Sequence, residues 1–355
     1  MSPMFVPGPM DVDPEVMDAQ TIPMLPHRSK EFETIFHRAE GKARPLFGTQ
    51  NRVFISASSG TGLQEAAVRN FAQSSVLACV NGAFSERWLE VAKSNGKSID
   101  TVEAEWGQPI RPEDVAAALR QKPYEVLTIV HNETSTGLQN PVDAIAAAAR
   151  GVSPDTLICV DAVSSLGGAP IEMDAWGLDF VLTSSQKALA LPPGLALGAT
   201  SDRALERAAS VENRGWYFDL VRLEKHRLKN STPATPATSL INALDLQLDR
   251  ILAEGLENRF ARYQSMATRV HEWALSHGFG LFAAEGYRSR TVSTVENLPD
   301  IDVAALNAFL LERGMRIANG YGTLKNKTFR IAHMGELTLA DVNTLLAAIE
   351  EFMGK

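Results

Sequence analysis

The sequence predicts an α/β fold: a large domain on a mostly parallel sheet, followed by a smaller α+β domain. Three observations predict it. Short, continuous apolar runs alternate with helical patterns through the first two-thirds of the chain. After Pro236 the texture changes to a long helical stretch and then to alternating segments. The chain's 355 residues exceed one typical core and suit a large domain with a smaller companion.

The elements follow in order. Residues 53–56 form a short β-branched and aromatic run, and a loop with Gly60 and Gly62 leads into a helical pattern over 63–72. Residues 76–80 and 126–130 read as buried strands, and the Ala-rich stretch 142–150 as a helix. A further strand over 156–160 ends at Asp161, and 180–183 and 195–200 add two more. Apolar strands separated by helices imply a mostly parallel sheet covered on both faces. In such sheets ligands bind beyond the carboxyl ends of the strands, so the loops there are the place to look for chemistry. From 239 to about 277 the pattern is helical, with a break expected near Gly255. Strands are expected over 291–298, 315–318 and 328–333, and helices over 303–312 and from the N-cap Thr338 to Phe352. The expected division is a large domain over 17–254 and a small one over 255–355.

Composition excludes several function classes. Hydrophobic residues make up 45% and charged residues 21%, ordinary for a globular protein, and the net charge of -8 carries no basic footprint for nucleic acid. An anionic substrate must then be held by a few placed cations. No apolar stretch approaches the roughly 20 residues of a membrane span. The start, MSPMFVPGPMDVD, lacks the regions of a secretory signal, so a cytoplasmic location is expected. Cys79 and Cys159 lie in the apolar runs SVLACV and TLICVD and read as buried small hydrophobes. The seven histidines, among them His27, His131 and His333, show no paired ligand spacing, so no metal is expected.

The chemistry concentrates at strand ends. Lys187, in VLTSSQKALALPPG, follows an apolar strand; it reads either as a solvated surface lysine or as an amine able to bond an aldehyde cofactor. Asp161 ends the strand TLICVD and could cap a helix, form a turn, or pair with a protonated pyridine nitrogen. The two together, twenty-six positions apart and each at the end of its own strand, are more specific than either alone. Ser59, Gly60 and Thr61, in SASSGTG, could cradle a phosphate at a helix N-terminus or simply form a capped turn. Phe84 in VNGAFSERW could stack on a flat ring or pack in the core. Thr134 in VHNETSTG could bond a ring hydroxyl or act as a turn hydroxyl. Arg330 in KTFRIAHMG should point away from Phe329 and Ile331, and its guanidinium suits a carboxylate.

Taken in order, VPGP, PHRSKEF, SSGTGLQEA, NGAFSER, HNETSTG, VDAVSSLGG, SSQKALALPPG and FRIAHMG resemble the class V group of fold-type I pyridoxal-phosphate (PLP) enzymes. The likeness is to alanine–glyoxylate and serine–pyruvate aminotransferases and covers nearly the whole chain. The resemblance implies the aspartate aminotransferase-like fold, a homodimer with shared sites, and residues 1–16 packed near the active site. It implies that Lys187 is the Schiff-base lysine and proton carrier, Asp161 the pyridine-nitrogen partner, and Val163 and Phe84 the two faces of the ring site. Thr134 would contact the ring oxygen, and Ser59, Gly60, Thr61 and Gln186 the phosphate. Thr232 and Thr235 of STPATPATS would reach the neighbouring subunit's phosphate, although some relatives carry Tyr in that segment. Arg330 would bind the substrate α-carboxylate, with Gly8 nearby. The implied reaction moves an amino group from alanine, serine or aspartate to a 2-oxo acid such as glyoxylate or pyruvate. His27 and Arg28 also resemble a segment that phosphoserine aminotransferases use, which keeps phosphoserine as an alternative. Cysteine desulfurase is excluded, because Gln186 rather than His precedes Lys187 and no cysteine follows Cys159.

Overall fold

A computed structural model describes residues 3–354. Positions 1, 2 and 355, at the outer ends of the expected N-terminal segment and small domain, lie outside the described residues. Seven strands make the main sheet. Arg52–Ala57 lies at one edge, followed by Leu195–Thr200, Phe180–Ser184, Leu157–Asp161, Val126–Val130 and Ser75–Val80, with Ser98–Glu103 at the other edge. All neighbours pair in parallel except Leu195–Thr200, which runs antiparallel to both of its partners.

Four central strands are buried at every position, so one apolar run serves both faces of the sheet. On one face Leu127, Ile129, Ile158, Val160 and Val181 pack in a core with helices Lys30–Ala43, Val142–Val152 and Thr238–Glu254. On the other, Val130, Cys159, Phe180 and Leu182 pack with helices Gly60–Phe71 and Ala83–Ser94. Cys79 and Cys159 are both free, buried thiols whose pKa burial pushes up, and no disulfide joins them.

A second sheet of five strands orders Met4–Phe5, Arg316–Asn319, Thr328–Ala332, Val292–Glu296 and Gly280–Leu281. Its core holds Phe329, Ile331, Val292 and Val295 together with Leu256–Ser276 and Leu339–Phe352. Gly255 sits between the two long helices at φ +82°, a conformation that favours glycine. The helix before it packs Ile241, Leu244, Leu248 and Ile251 into the first core, and the helix after it packs Met266, Val270 and Trp273 into the second. Thr338 caps the last helix in a reciprocal box with Asp341.

The structure adds elements that the hydrophobic pattern does not announce. Ser98–Glu103 is an edge strand with mostly half-exposed positions, and Pro112–Gln121 is an amphipathic helix. Met4–Phe5 leaves the start of the chain to pair in parallel with Arg316–Asn319. No described helix is long and apolar enough to cross a membrane.

Candidate active site

The carboxyl ends of the parallel strands and the loops after them enclose a cavity of about 190 Å³. Ser59, Gly60, Thr61, Phe84, Thr134, Asp161, Val163, Gln186 and Lys187 all line it. Nine residues singled out from five separated segments therefore meet at one place.

Lys187 lies two residues past Ser185, which follows the strand Phe180–Ser184. Its Nζ donates to the carbonyl of Pro7, and the N–H of Met10 donates to the Gln186 carbonyl at 3.1 Å. The N-terminal segment thus closes over the lysine. Gly8 has φ +112°, and a Cβ there would stand 2.7 Å from Lys187 Cδ and Nζ, so the approach requires glycine. Burial, with the nearby charges of Arg330 and Arg87, lowers the Lys187 pKa to about 8.

Asp161 accepts from Val163 N at 2.8 Å and from Gln64 Nε2 at 2.6 Å. It forms no ion pair among the described residues, and burial raises its pKa to about 6, against those two hydrogen bonds. Gly60 packs against Val163, where a Cβ would come within 2.4 Å of Val163 Cγ2. Ser59 is the N-cap of Gly60–Phe71 but makes no side-chain capping bond, so first-turn N–H groups stay available to an anion.

Phe84 is positioned from a distance. Glu133, fully buried, accepts from the N–H groups of Phe84 and Ser85 at the start of helix Ala83–Ser94, and Ser135 Oγ accepts from Ala83 N. Burial pushes the Glu133 pKa up, opposed by these donors. Thr134 Oγ1 lies 2.7 Å from Ser164 Oγ, and the Thr134 carbonyl accepts from Arg330 Nη1 at 3.3 Å. Arg330 is 8% exposed and has no carboxylate partner among the described residues. Burial lowers its pKa to about 10. As its strand alternation requires, Phe329 and Ile331 turn into the second core instead.

Three expected residues lie elsewhere. Arg28 is exposed and does not line the cavity; its segment enters helix Lys30–Ala43, whose N-cap Ser29 accepts from Phe32 N at 3.3 Å. Thr232 and Thr235 line a separate shallow cleft with Ile55, Ser56 and Tyr217.

Sequence reading missed Gln64, Arg87, Asn132, Ser164 and Ser184, which also line the cavity. Gln64 follows Gly60 by four positions and Arg87 follows Phe84 by three, so each shares a helix face with a residue already singled out. That spacing could have found both. Arg87 Nη1 lies 3.5 Å from Thr61 Oγ1, and its guanidinium sits 5.1 Å from the Phe84 ring centre. Tyr321, also missed, packs 5.5 Å from the Phe84 ring and 5.4 Å from the Arg330 guanidinium carbon.

The donor set fits PLP. Gln64 Oε1, Asn132 Oδ1, Ser184 Oγ and Gln186 Oε1 are buried without a hydrogen-bond partner, and all four residues line this cavity. Each unpartnered buried polar atom costs about 1–3 kcal/mol, so four at one cavity call for a polar guest. A carboxylate without a cation, an amine of lowered proton affinity and a helix N-terminus match a pyridine nitrogen, an aldehyde and a phosphate in turn.

Comparison with known proteins agrees. Residues 15–344 match the Aminotransferase class-V family. The chain is 36% identical to L-aspartate–glyoxylate aminotransferase of Paracoccus denitrificans, over 99% of this chain and 91% of that protein. A solved aspartate aminotransferase of subgroup IV from Thermus thermophilus superposes with a TM-score of 0.92 at 32% identity, covering 99% of both chains. A solved alanine–glyoxylate aminotransferase from Nostoc sp. superposes with a TM-score of 0.93 at 30% identity, covering 99% of this chain and 96% of that one. The fold is that of the fold-type I aminotransferases, and the chain belongs to the class-V aminotransferase family.

Proposed function

We propose that this protein is a PLP-dependent aminotransferase that moves the amino group of a small amino acid (alanine, serine or aspartate) to glyoxylate, pyruvate or a similar 2-oxo acid. The observation that carries the reading is one cavity joining Lys187, with its lowered proton affinity, to Asp161, which lacks a cation, with Arg330, which lacks an anion, at its edge. The relatives named above, which act on aspartate, alanine and glyoxylate by their names, support the substrate class.

Lys187 would hold PLP covalently through Nζ, Asp161 would face its ring nitrogen, and Phe84 and Val163 would flank the ring. Thr134 would reach the ring oxygen, and Ser59, Gly60, Thr61 and Gln186 the phosphate. When bound, PLP supplies an electron sink for the charge left at the substrate Cα. Arg330 would fix the substrate by a two-point grip on its α-carboxylate, with Gly8 backbone alongside. Lys187 Nζ, once free of the cofactor, would take the proton from Cα and return it on the other side of the transfer. A pKa near 8 suits an amine that must both accept and donate a proton near neutral pH. The N-terminal segment over Lys187 would keep water from the reacting atoms.

The reading includes a cytoplasmic homodimer, with Thr232 and Thr235 reaching the partner's phosphate, and a division into domains 17–254 and 255–355. A two-fold arrangement is the common solution for such chains. The His27–Arg28 segment, on which a phosphoserine preference rests, does not line the cavity.

A donor screen tests the function. Aspartate, alanine, serine and phosphoserine are each offered with glyoxylate, pyruvate and 2-oxoglutarate, and the half-reaction is read spectrally. Turnover of small donors with glyoxylate is expected. No transfer from any donor, or a clear phosphoserine preference, would sink the proposal.

Arg87 gives a separate prediction. It is a cation without an acid partner among the described residues, held at Thr61 of the phosphate cradle. Arg87→Gln is expected to weaken PLP binding by about tenfold to a hundredfold, the loss of charge-assisted bonds to one phosphate. Equilibrium dialysis of cofactor checks this. Unchanged cofactor affinity would remove Arg87 from the cradle.

A further inference from the structure

A larger cavity, about 500 Å³, lies apart from the Lys187 cavity and is used by nothing in the reaction above. Val130 lines the Lys187 cavity, and the next residue, His131, lines this one. One wall comes from the main sheet's loops, with His131, Asp143 and Trp176. The other comes from the second lobe, with His271, Arg288 and Arg290.

The charges here are unbalanced. Neither guanidinium forms an ion pair among the described residues, and Arg288 makes only one long bond, from Nε to the Ala283 carbonyl at 3.5 Å. Among the described residues Asp143 is the only acid of the lining, so the cavity carries a positive excess in a chain of net charge -8. At the wall, His131 is 2% exposed; its Nδ1 lies 3.0 Å from Ser165 Oγ, and its ring meets Trp176 edge-on at 6.2 Å. Its Nε2 makes no hydrogen bond among the described residues. The eleven-residue helix Val142–Val152 also begins at this wall, without a side-chain cap.

We propose that this cavity is a binding site for a small dianion, a dicarboxylate or a phosphate, gripped by Arg288 and Arg290, with His131 beneath it. Guanidinium forks match both oxyanions bidentately. The ligand would add a second link between two walls already joined beside it by the Gln139 N–H, which donates to the Tyr287 carbonyl at 2.7 Å. It would also sit next to the substrate machinery. The Arg290 carbonyl lies 2.9 Å from His333 Nδ1, and His333 directly follows the strand that carries Arg330.

The test uses PLP-loaded protein, titrated with sodium phosphate and separately with sodium malonate. Sodium chloride of equal ionic strength is the control. Calorimetry and melting temperature are read. Saturable binding and a raised melting temperature are expected with at least one anion, and the tighter of the two names the ligand class. Arg290→Gln and Arg288→Gln should each weaken binding about tenfold or more, the worth of one charge-assisted bond. Arg330→Gln should leave it within about twofold, since additivity holds for separate sites. Arg290→Lys keeps the charge without the fork and should fall between, which guards against a folding defect in a neutral variant. The proposal is overturned if neither anion saturates, if both neutral variants bind as the parent does, or if Arg330→Gln abolishes binding.

Discussion

Lys187→Ala is expected to lower transamination by about 10⁴-fold or more, the upper range for one positioned acid–base group, because it removes the group proposed to move the Cα proton. The same variant is expected to bind PLP without a covalent link. After borohydride reduction of the parent, a pyridoxyl group should be found on the peptide that contains Lys187, and on none in the variant. A parent protein that carries no such group would end the reading of this cavity. Stability gives an independent readout in the cofactor-free protein. The folded pKa of about 8 lies below the ordinary 10.5, so between these values the unfolded chain binds more protons and stability rises with pH. The cost of burying the amine is fully present below pH 8 and relieved above about 10.5. It is on the order of 3 kcal/mol at neutral pH. Lys187→Met should therefore melt at a higher temperature than cofactor-free parent at pH 7, and the gap should close as pH rises through that window.

Arg330→Gln is the second large effect. Arg330 is a buried cation held only by the carbonyls of Asn319 and Thr134 and by the face of Tyr321. A substrate carboxylate would complete its pairing, and removing one partner of such a buried pair costs about 2–5 kcal/mol. The expected result is a fall in kcat/KM of roughly 100-fold or more for every amino acid donor. The loss should be shared by oxo-acid acceptors, which carry the same carboxylate, while PLP affinity stays close to the parent's. Equal cofactor loss and substrate loss would instead make Arg330 part of the cofactor's own site.

Much of this site was legible in advance because its signals are local. Asp161 and Lys187 each end a run of apolar residues, and the Ser59–Thr61 loop opens a helix; strand ends and helix starts are where the chain punctuates itself. What was not legible depends on contacts between distant segments. Glu133 reads as one more loop acid, yet it holds the first turn of the Phe84 helix from another strand. Leu195–Thr200 is as apolar as its neighbours, and nothing in an apolar run records that it enters the sheet in the opposite direction. Ser98–Glu103 escaped because an edge strand buries too little for a continuous apolar run. His27 and Arg28 are a suggestive pair whose local setting is the lead into a helix capped by Ser29, outside the Lys187 cavity.

The N-terminal segment has a mechanical consequence. Phe5 is paired into the second sheet, while Met10, five residues on, is bonded to the backbone beside Lys187. Five residues, even fully stretched, span no more than about 18 Å. Residues 6–9 are therefore a short leash between the second sheet and the Lys187 loop. Any swing of that sheet that opens the site to solvent must turn about this leash or first tear Met10 from Gln186. The opening amplitude is set by chain length at one end, and the leash is anchored beside the lysine it covers.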